Sequence, residues 1–136
     1  MARTLKLQII TPEATVYCDD VDMVTLPGVE GQIGILPCHV SLMTQLVRGE
    51  MIVRKNGHSD FLAVGEGLVE VIGDSVSILT DMAIAVEDID EARVEEARQR
   101  AAARLREKIS AEEVATVNAS LARALTQLHI KRRRRT

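Results

Sequence analysis

The chain has 136 residues, 46% of them apolar and 27% charged, with a formal net charge of -3. That length suits one domain, or a small domain with an appendage, and the apolar share is enough to build a core. Tyr17 and Phe61 are the only aromatic residues, so the core must be made of Val, Ile, Leu, Met and Ala, and a base-stacking nucleic-acid surface is disfavoured.

Met1-Ala2-Arg3-Thr4 leads into an alternating strand pattern and not into an apolar leader. No apolar run approaches the roughly 20 residues a membrane helix needs, and Cys18 and Cys38 are too few for a disulfide framework. A soluble protein of a reducing compartment is expected. Leu5, Leu7 and Ile9 alternate with Lys6 and Gln8, as in a half-buried strand. Met51 and Val53, then Asn56-Gly57, then Phe61 and Ala63 read as a hairpin, because Asn-Gly tolerates the positive φ of a tight turn. Leu68–Ile72 and Val76–Leu79 form a second pair joined by Gly73-Asp74. Gly65-Glu66-Gly67 reads as a turn between strands. Turn signals about every ten residues suggest a β-sandwich or barrel.

All eight glycines and all three prolines precede Val86. The composition break divides the chain into a β-sandwich domain, 1–86, and a helical part, 87–136. The predicted fold class is α+β: an N-terminal β-sandwich or barrel followed by a C-terminal antiparallel two-helix hairpin. Asp88 is expected to cap the first helix, with Glu91 reaching back. Its apolar stripe is Val94, Ala97, Ala101, Leu105 and Ile109. Ser110 with Glu113 makes a second capping box, and Val114, Val117, Leu121, Leu125 and Leu128 form a second stripe. One polar cap between two stripes means a short connection and antiparallel neighbours. A two-helix hairpin buries only a narrow seam and is marginal alone, so this half has the makings of a conformational switch. The run Lys131–Arg135 reads as a solvated basic tail.

Catalytic chemistry is hard to find. His39, His58 and His129 lack metal-ligand spacing. Cys38-His39 has no third orienting group, and neither a nucleophile elbow nor a phosphate loop is present. Arg93, Arg100 and Arg104 fall within about 40° of one another on a helix. They form either an ordinary solvated face or a surface for an anion or an acidic partner.

Taken in order, four stretches resemble the ATP synthase epsilon subunit family of bacteria and chloroplasts (delta in mitochondrial naming). They are Ile9–Pro12 with Val16-Tyr17, Gly31–His39, Gly67–Val71 with Val76–Asp81, and Glu87–Arg93. The chain departs from the family where Cys38 replaces a usual Gly, Ser41 a Pro, and Gln32 a frequent acid.

The resemblance implies a non-catalytic central-stalk subunit of a rotary proton-translocating ATP synthase, coupling ion flow to ATP synthesis. The implied partners are the gamma shaft, the c-ring, and the alpha and beta subunits of the catalytic head, with no nucleic acid. Gln32 and His39 would lie in a loop facing the c-ring, and the helical arm, including Arg104, would inhibit ATP hydrolysis. The implied location is peripheral, on the cytoplasmic face of the bacterial plasma membrane or the stromal face of a thylakoid, with membrane contact only through the complex. No cofactor is required. A weak regulatory ATP site is implied at Ile89, Asp90, Arg93, Arg100 and Arg123, eroded by Val94 in place of Ala, by Ile84 where an acid can occur, and by Gln127 in place of Arg. The alternative is a free-standing nucleotide sensor.

Overall fold

A computed structural model describes residues 3–38 and 40–135. The chain forms two compact units, Met1–Ala85 and Val86–Thr136.

The first unit is built of β1 (Leu5–Ile10), β2 (Thr15–Val21), β3 (Met23–Gly28), β4 (Gly31–Ile35), β5 (Leu42–Leu46), β6 (Gly49–Lys55), β7 (His58–Val64), β8 (Gly67–Ile72), β9 (Ser75–Thr80) and β10 (Ala83–Ala85). They pair in the order β10-β7-β6-β3-β5-β8-β9-β1-β2, with β4 added on β3. β3 is shared: Met23–Thr25 pairs with β6, Gly28 faces Leu46 of β5, and β4 takes the other edge. One strand thus serves both layers, which is how a sandwich turns a corner. β1 and β9 run parallel, and the other pairings are antiparallel. The expected sandwich is present.

Alternation dictates the core. Leu5, Leu7 and Ile9 are fully buried and meet Val24, Leu26, Met51, Val69, Val76 and Ile78 in one aliphatic cluster. Burying one such side chain is worth roughly 1.5–3 kcal/mol. Tyr17 only leans on this cluster, half-buried. Asn56 and Gly57 take φ of 52° and 80°, the two positive values of a hairpin turn matched to strand twist. One phase differs from expectation. Met51 pairs with Leu62, so Leu62 and Val64 enter the core cluster; of the two residues named from the sequence, Ala63 is fully buried and Phe61, opposite Ile52, only half-buried. The apolar run of β7 hides its phase, and the register with β6 decides it.

Gly65-Glu66-Gly67 does link two strands, β7 and β8, and close approach explains its glycines. A Cβ on Gly67 would stand 1.8 Å from the Leu79 carbonyl oxygen, and one on Gly65 would stand 1.8 Å from Asp81 Oδ1. The β2 edge is blunted by exposed Asp19 and Asp20, charges that discourage strand addition.

The second unit opens with a 3-10 turn, Val86–Asp88, followed by α1 (Glu91–Leu105) and α2 (Ala111–Arg135). The turn consumes Asp88, so the cap of α1 is Asp90, whose carboxylate accepts the Arg93 N–H at 3.2 Å. α1 ends at Leu105, which leaves Ile109 in the connection. Ser110 caps α2 as expected, with one half of the capping box: the Glu113 N–H donates to Ser110 Oγ at 3.2 Å, and the Ser110 hydroxyl donates to the Glu113 carboxylate at 3.3 Å. Arg104 meets Glu113 at 2.6 Å at the closed end, while Arg132 meets Glu91 at 2.7 Å at the open end. The helices are therefore antiparallel. Leu125 is 48% exposed, whereas Ala124, Leu128 and Ile130 are buried. The seam follows the small residue, which lets the helix axes come close. The predicted solvated tail is instead helical through Arg135, and Lys131 and Arg132 have partners within the unit.

Candidate functional site

The residues singled out from the sequence fall in several places. Gln32 is exposed on β4, paired with Pro27 beside the β3–β4 turn. The stretch read as one loop is in fact a strand with a loop after it, and β4 separates Gln32 from the segment that follows Ile35. His39 lies outside the described residues. Its neighbour Cys38 has φ 68°, a left-handed conformation that suits glycine and costs a side-chain-bearing residue free energy. Glycine takes that conformation without the cost. The Cys38 N–H donates to Asp74 Oδ1 at 2.8 Å, and Arg3 meets Asp74 Oδ2 at 2.6 Å. Together the Cys38 amide and then the Arg3 guanidinium hold the Asp74 carboxyl below its ordinary range.

On the helical unit, Ile89 is buried and the Asp90 carboxylate is engaged as a cap. Arg93 and Arg100 are exposed on one face of α1. Arg104, on that face, is bound to Glu107 and Glu113. Arg123 stands on α2 and donates to Ser120 Oγ at 3.1 Å. Asp90 and Arg104 thus already serve the hairpin's own structure.

The most unusual surface was not singled out from the sequence. On β8, Val69 and Val71 point inward, while Leu68 and Ile72 point outward, 47% and 59% exposed. On β9, Val76 and Ile78 are buried and Leu79 is 50% exposed. Leu68 and Leu79 are direct cross-strand partners, Leu68 also faces Gln45 of β5, and Ile10 of β1 lies beside Leu79. Met43, 66% exposed, lies on the same outer face opposite Glu70. An antiparallel sheet with one wet face normally shows polar residues there, and contiguous apolar exposure marks an interaction surface. Two hollows border it, of about 620 and 390 Å³, and both are lined by Glu66, Gly67 and Asp81. The face is therefore apolar, and at its rim Glu66 is already paired with Arg48 at 3.3 Å, which leaves apolar contact as what it offers a partner. The sequence signal was there: apolar residues occupy both phases of Leu68–Ile72, which marks a strand covered on both sides.

The helical unit has its own concavity, about 650 Å³, lined by Arg98, Leu125, Leu128, His129, Arg132 and Arg133. Arg98 lies roughly 140° around α1 from Arg93, so this cleft opens away from the arginine face predicted to meet ATP. Glu95 sits beside it, and Arg98 first, then Arg132, bring its carboxyl down to about 2. No helix is long and apolar enough to cross a membrane among the described residues.

The family described as ATP synthase, Delta/Epsilon chain, beta-sandwich domain matches residues 4–86, and its companion, the long alpha-helix domain, matches residues 87–132. The ATP synthase epsilon chain of Herpetosiphon aurantiacus is 41% identical over 131 residues, covering 96% of each chain. That of Chloroflexus aggregans is 43% identical over 126 residues, covering 93% of this chain and 91% of its own. Among solved structures, a chain of the Euglena gracilis mitochondrial ATP synthase superposes with a TM-score of 0.64 at 22% identity, covering 92% of this chain and 75% of that one. A chain of the Tetrahymena thermophila mitochondrial ATP synthase central stalk and c-ring gives 0.59 at 12% identity, covering 91% and 96%. These two likenesses are of fold.

Proposed function

The chain belongs to the ATP synthase Delta/Epsilon chain family, and from that premise we propose that it is a rotor subunit of the central stalk of a proton-translocating F-type ATP synthase. As a member of that family it is a non-catalytic subunit. The sandwich grips the gamma shaft and stands on the c-ring, so that ring rotation reaches the catalytic head. The complex sits at the cytoplasmic face of a bacterial membrane or the stromal face of a thylakoid, and the chain touches the membrane only through its partners. The helical unit acts as an arm that inhibits ATP hydrolysis. ATP is at most a weak regulatory ligand of that arm, because Asp90 is spent as a helix cap and Gln127 offers no cation.

The observation that carries the sandwich's part is the outward aliphatic face of Met43, Leu68, Ile72 and Leu79. A stalk subunit must be held firmly through repeated rotation, and covering an exposed aliphatic patch is favourable in proportion to the apolar area removed from water. The family's shaft subunit is the partner that this face is assigned.

Leu68→Ser with Leu79→Ser tests the assignment. Each side chain has about half its surface left to bury, so each change removes about half of the roughly 1.5–3 kcal/mol of a full burial, and affinity for purified gamma should fall by about tenfold or more. Both side chains are already half in water, and the fold should survive, as circular dichroism would verify. Unchanged affinity for gamma in a folded variant would reject this face as the docking surface.

A further inference from the structure

Charge on three elements closes the open end of the helical hairpin. Arg132 of α2 donates from Nε to Glu91 Oε1 at 2.7 Å and from Nη2 to Glu95 Oε2 at 3.3 Å. Lys131 donates from Nζ to the Val86 carbonyl oxygen, in the 3-10 turn ahead of α1, at 3.0 Å. Glu95 is gripped from its own helix by Arg98, whose Nε donates to Oε2 at 3.1 Å, and Gln99 Nε2 reaches Oε1 at 3.4 Å. A concave cluster of cations ordinarily reads as an anion site. Here Arg98 and Arg132 are already turned onto Glu91 and Glu95, so the cleft carries its own anions.

Apolar burial holds this end only in part. α1 has no buried residue at all, and the buried side chains of α2 are Ala124, Leu128 and Ile130. Beyond Ile130 the two helices are joined by polar contacts. Those contacts span a wide separation in sequence, from Arg132 back to Glu91 and Glu95, so they exist only while the hairpin is closed.

We propose that Lys131 and Arg132 form an electrostatic latch that fastens the end of α2 to the 3-10 turn and the first two turns of α1, and that its release is the first step in opening the hairpin. The latch is a property of the chain by itself. Its use as a regulatory device rests on reading the helical unit as an arm. Two adjacent cations do different work. Arg132 ties helix to helix, and Lys131 satisfies a carbonyl in the turn that leads into α1. Because Arg132 bridges two carboxylates, removing either one weakens the latch without abolishing it.

The test is hydrogen–deuterium exchange on the full chain, read over residues 88–100, in a double-mutant cycle of Arg132→Gln and Glu91→Gln. Exposed pairs are individually weak, so Arg132→Gln should speed exchange there by roughly three- to tenfold and Glu91→Gln by less, with the sandwich strands unchanged. The double variant should exchange more slowly than the two separate effects combined would give, since their shared interaction cannot be lost twice. Molar salt should speed exchange in the unaltered chain and have little effect in Arg132→Gln. Additive effects of the two substitutions, or no change with Arg132→Gln, would overturn the latch. Neither result would bear on the chain's place in the stalk, which the gamma-binding measurement tests separately.

Discussion

The two units solve the problem of staying folded in opposite ways. In the sandwich, Leu5, Leu7, Ile9, Val24, Leu26, Met51, Val53 and Ile78 are each 0% exposed, and Gly67 lets the backbones of β8 and β9 come into contact. In the hairpin, α1 buries nothing completely, and the unit relies on a narrow seam with ion pairs at both ends. Stability in the first comes mainly from area removed from water, which neither titrates nor is screened by ionic strength. In the second, a larger share comes from charges that solvent screens. On the reading proposed above, a rotor element that transmits force and an arm that lets go would have different needs, and the two units rest on different physics.

The largest expected effect is on the sandwich alone. Gly67→Ala places a Cβ 1.8 Å from the Leu79 carbonyl oxygen, a collision between two backbones that no rotamer relieves. It should cost about 3 kcal/mol or more, seen as a lower urea midpoint for the strand signal. Near-normal stability would mean that β8 and β9 can separate at that point, and the contrast between a rigid unit and a yielding one would weaken.

Acid should act on the hairpin through Glu95. Its carboxyl lies at about 2, chiefly through Arg98 on its own helix and then Arg132 from α2. Arg133 and His129 line the same cleft. A carboxyl whose folded value is depressed stabilises the fold above its unfolded value of 4.5, and that contribution is lost as pH falls from there toward about 2. Helical circular dichroism should therefore show a step in that window, absent in Glu95→Gln. Asp74 and Asp19 are likewise held low, by the Cys38 amide with Arg3 and by Lys55 with the Asp20 amide. Strand signal should nevertheless persist while the helical step occurs. Simultaneous loss of both signals would show that the units do not respond independently.

The smallest expected effect is that of ATP on the arm. A missing arginine at Gln127 forgoes a charge-assisted contact of roughly 1.5–3 kcal/mol, and the half-buried Val94 is bulkier than the alanine of the family motif. Calorimetry with the isolated chain should find binding weaker than about 10 μM. Tight binding would mean that Arg93, Arg100 and Arg123 suffice without the missing groups.

Much of this architecture was legible in the residues, for particular reasons. The period of two in Leu5–Ile9, the Asn56-Gly57 turn and the capping box of Ser110 with Glu113 are local signals with local causes. The misreadings share a different cause: two choices were equally good locally, and a distant partner decided. Phe61 or Leu62 could face the core until the register with Met51 is known. Leu125 or Ala124 could line the seam at helical spacing, and close approach selects the smaller. Asp88 or Asp90 could cap α1 until a 3-10 turn claims the first. The basic tail looked solvated because its carboxylate partners lie some forty residues upstream, as with Arg132 and Glu91. The outward aliphatic face is signalled only by phase: Leu68 and Ile72 alternate with Val69 and Val71, so both sides of β8 are apolar.

The parallel pairing of β1 with β9 sets the order in which the protein can be made. β1 leaves the ribosome well before β9, with β2 able to join it at once, but Lys6–Ile10 must wait for Ser75–Leu79 before the sheet is complete on its other side. At ordinary translation speeds that wait is on the order of several seconds. Throughout it, Leu5, Leu7 and Ile9 lack the strand that will cover their flank. Contacts so far apart in sequence are slow to form, whereas α1 and α2 need only fold across a five-residue connection, Arg106 to Ser110. During synthesis the sturdier unit is therefore the one at risk of aggregation, and the strand at risk is its first.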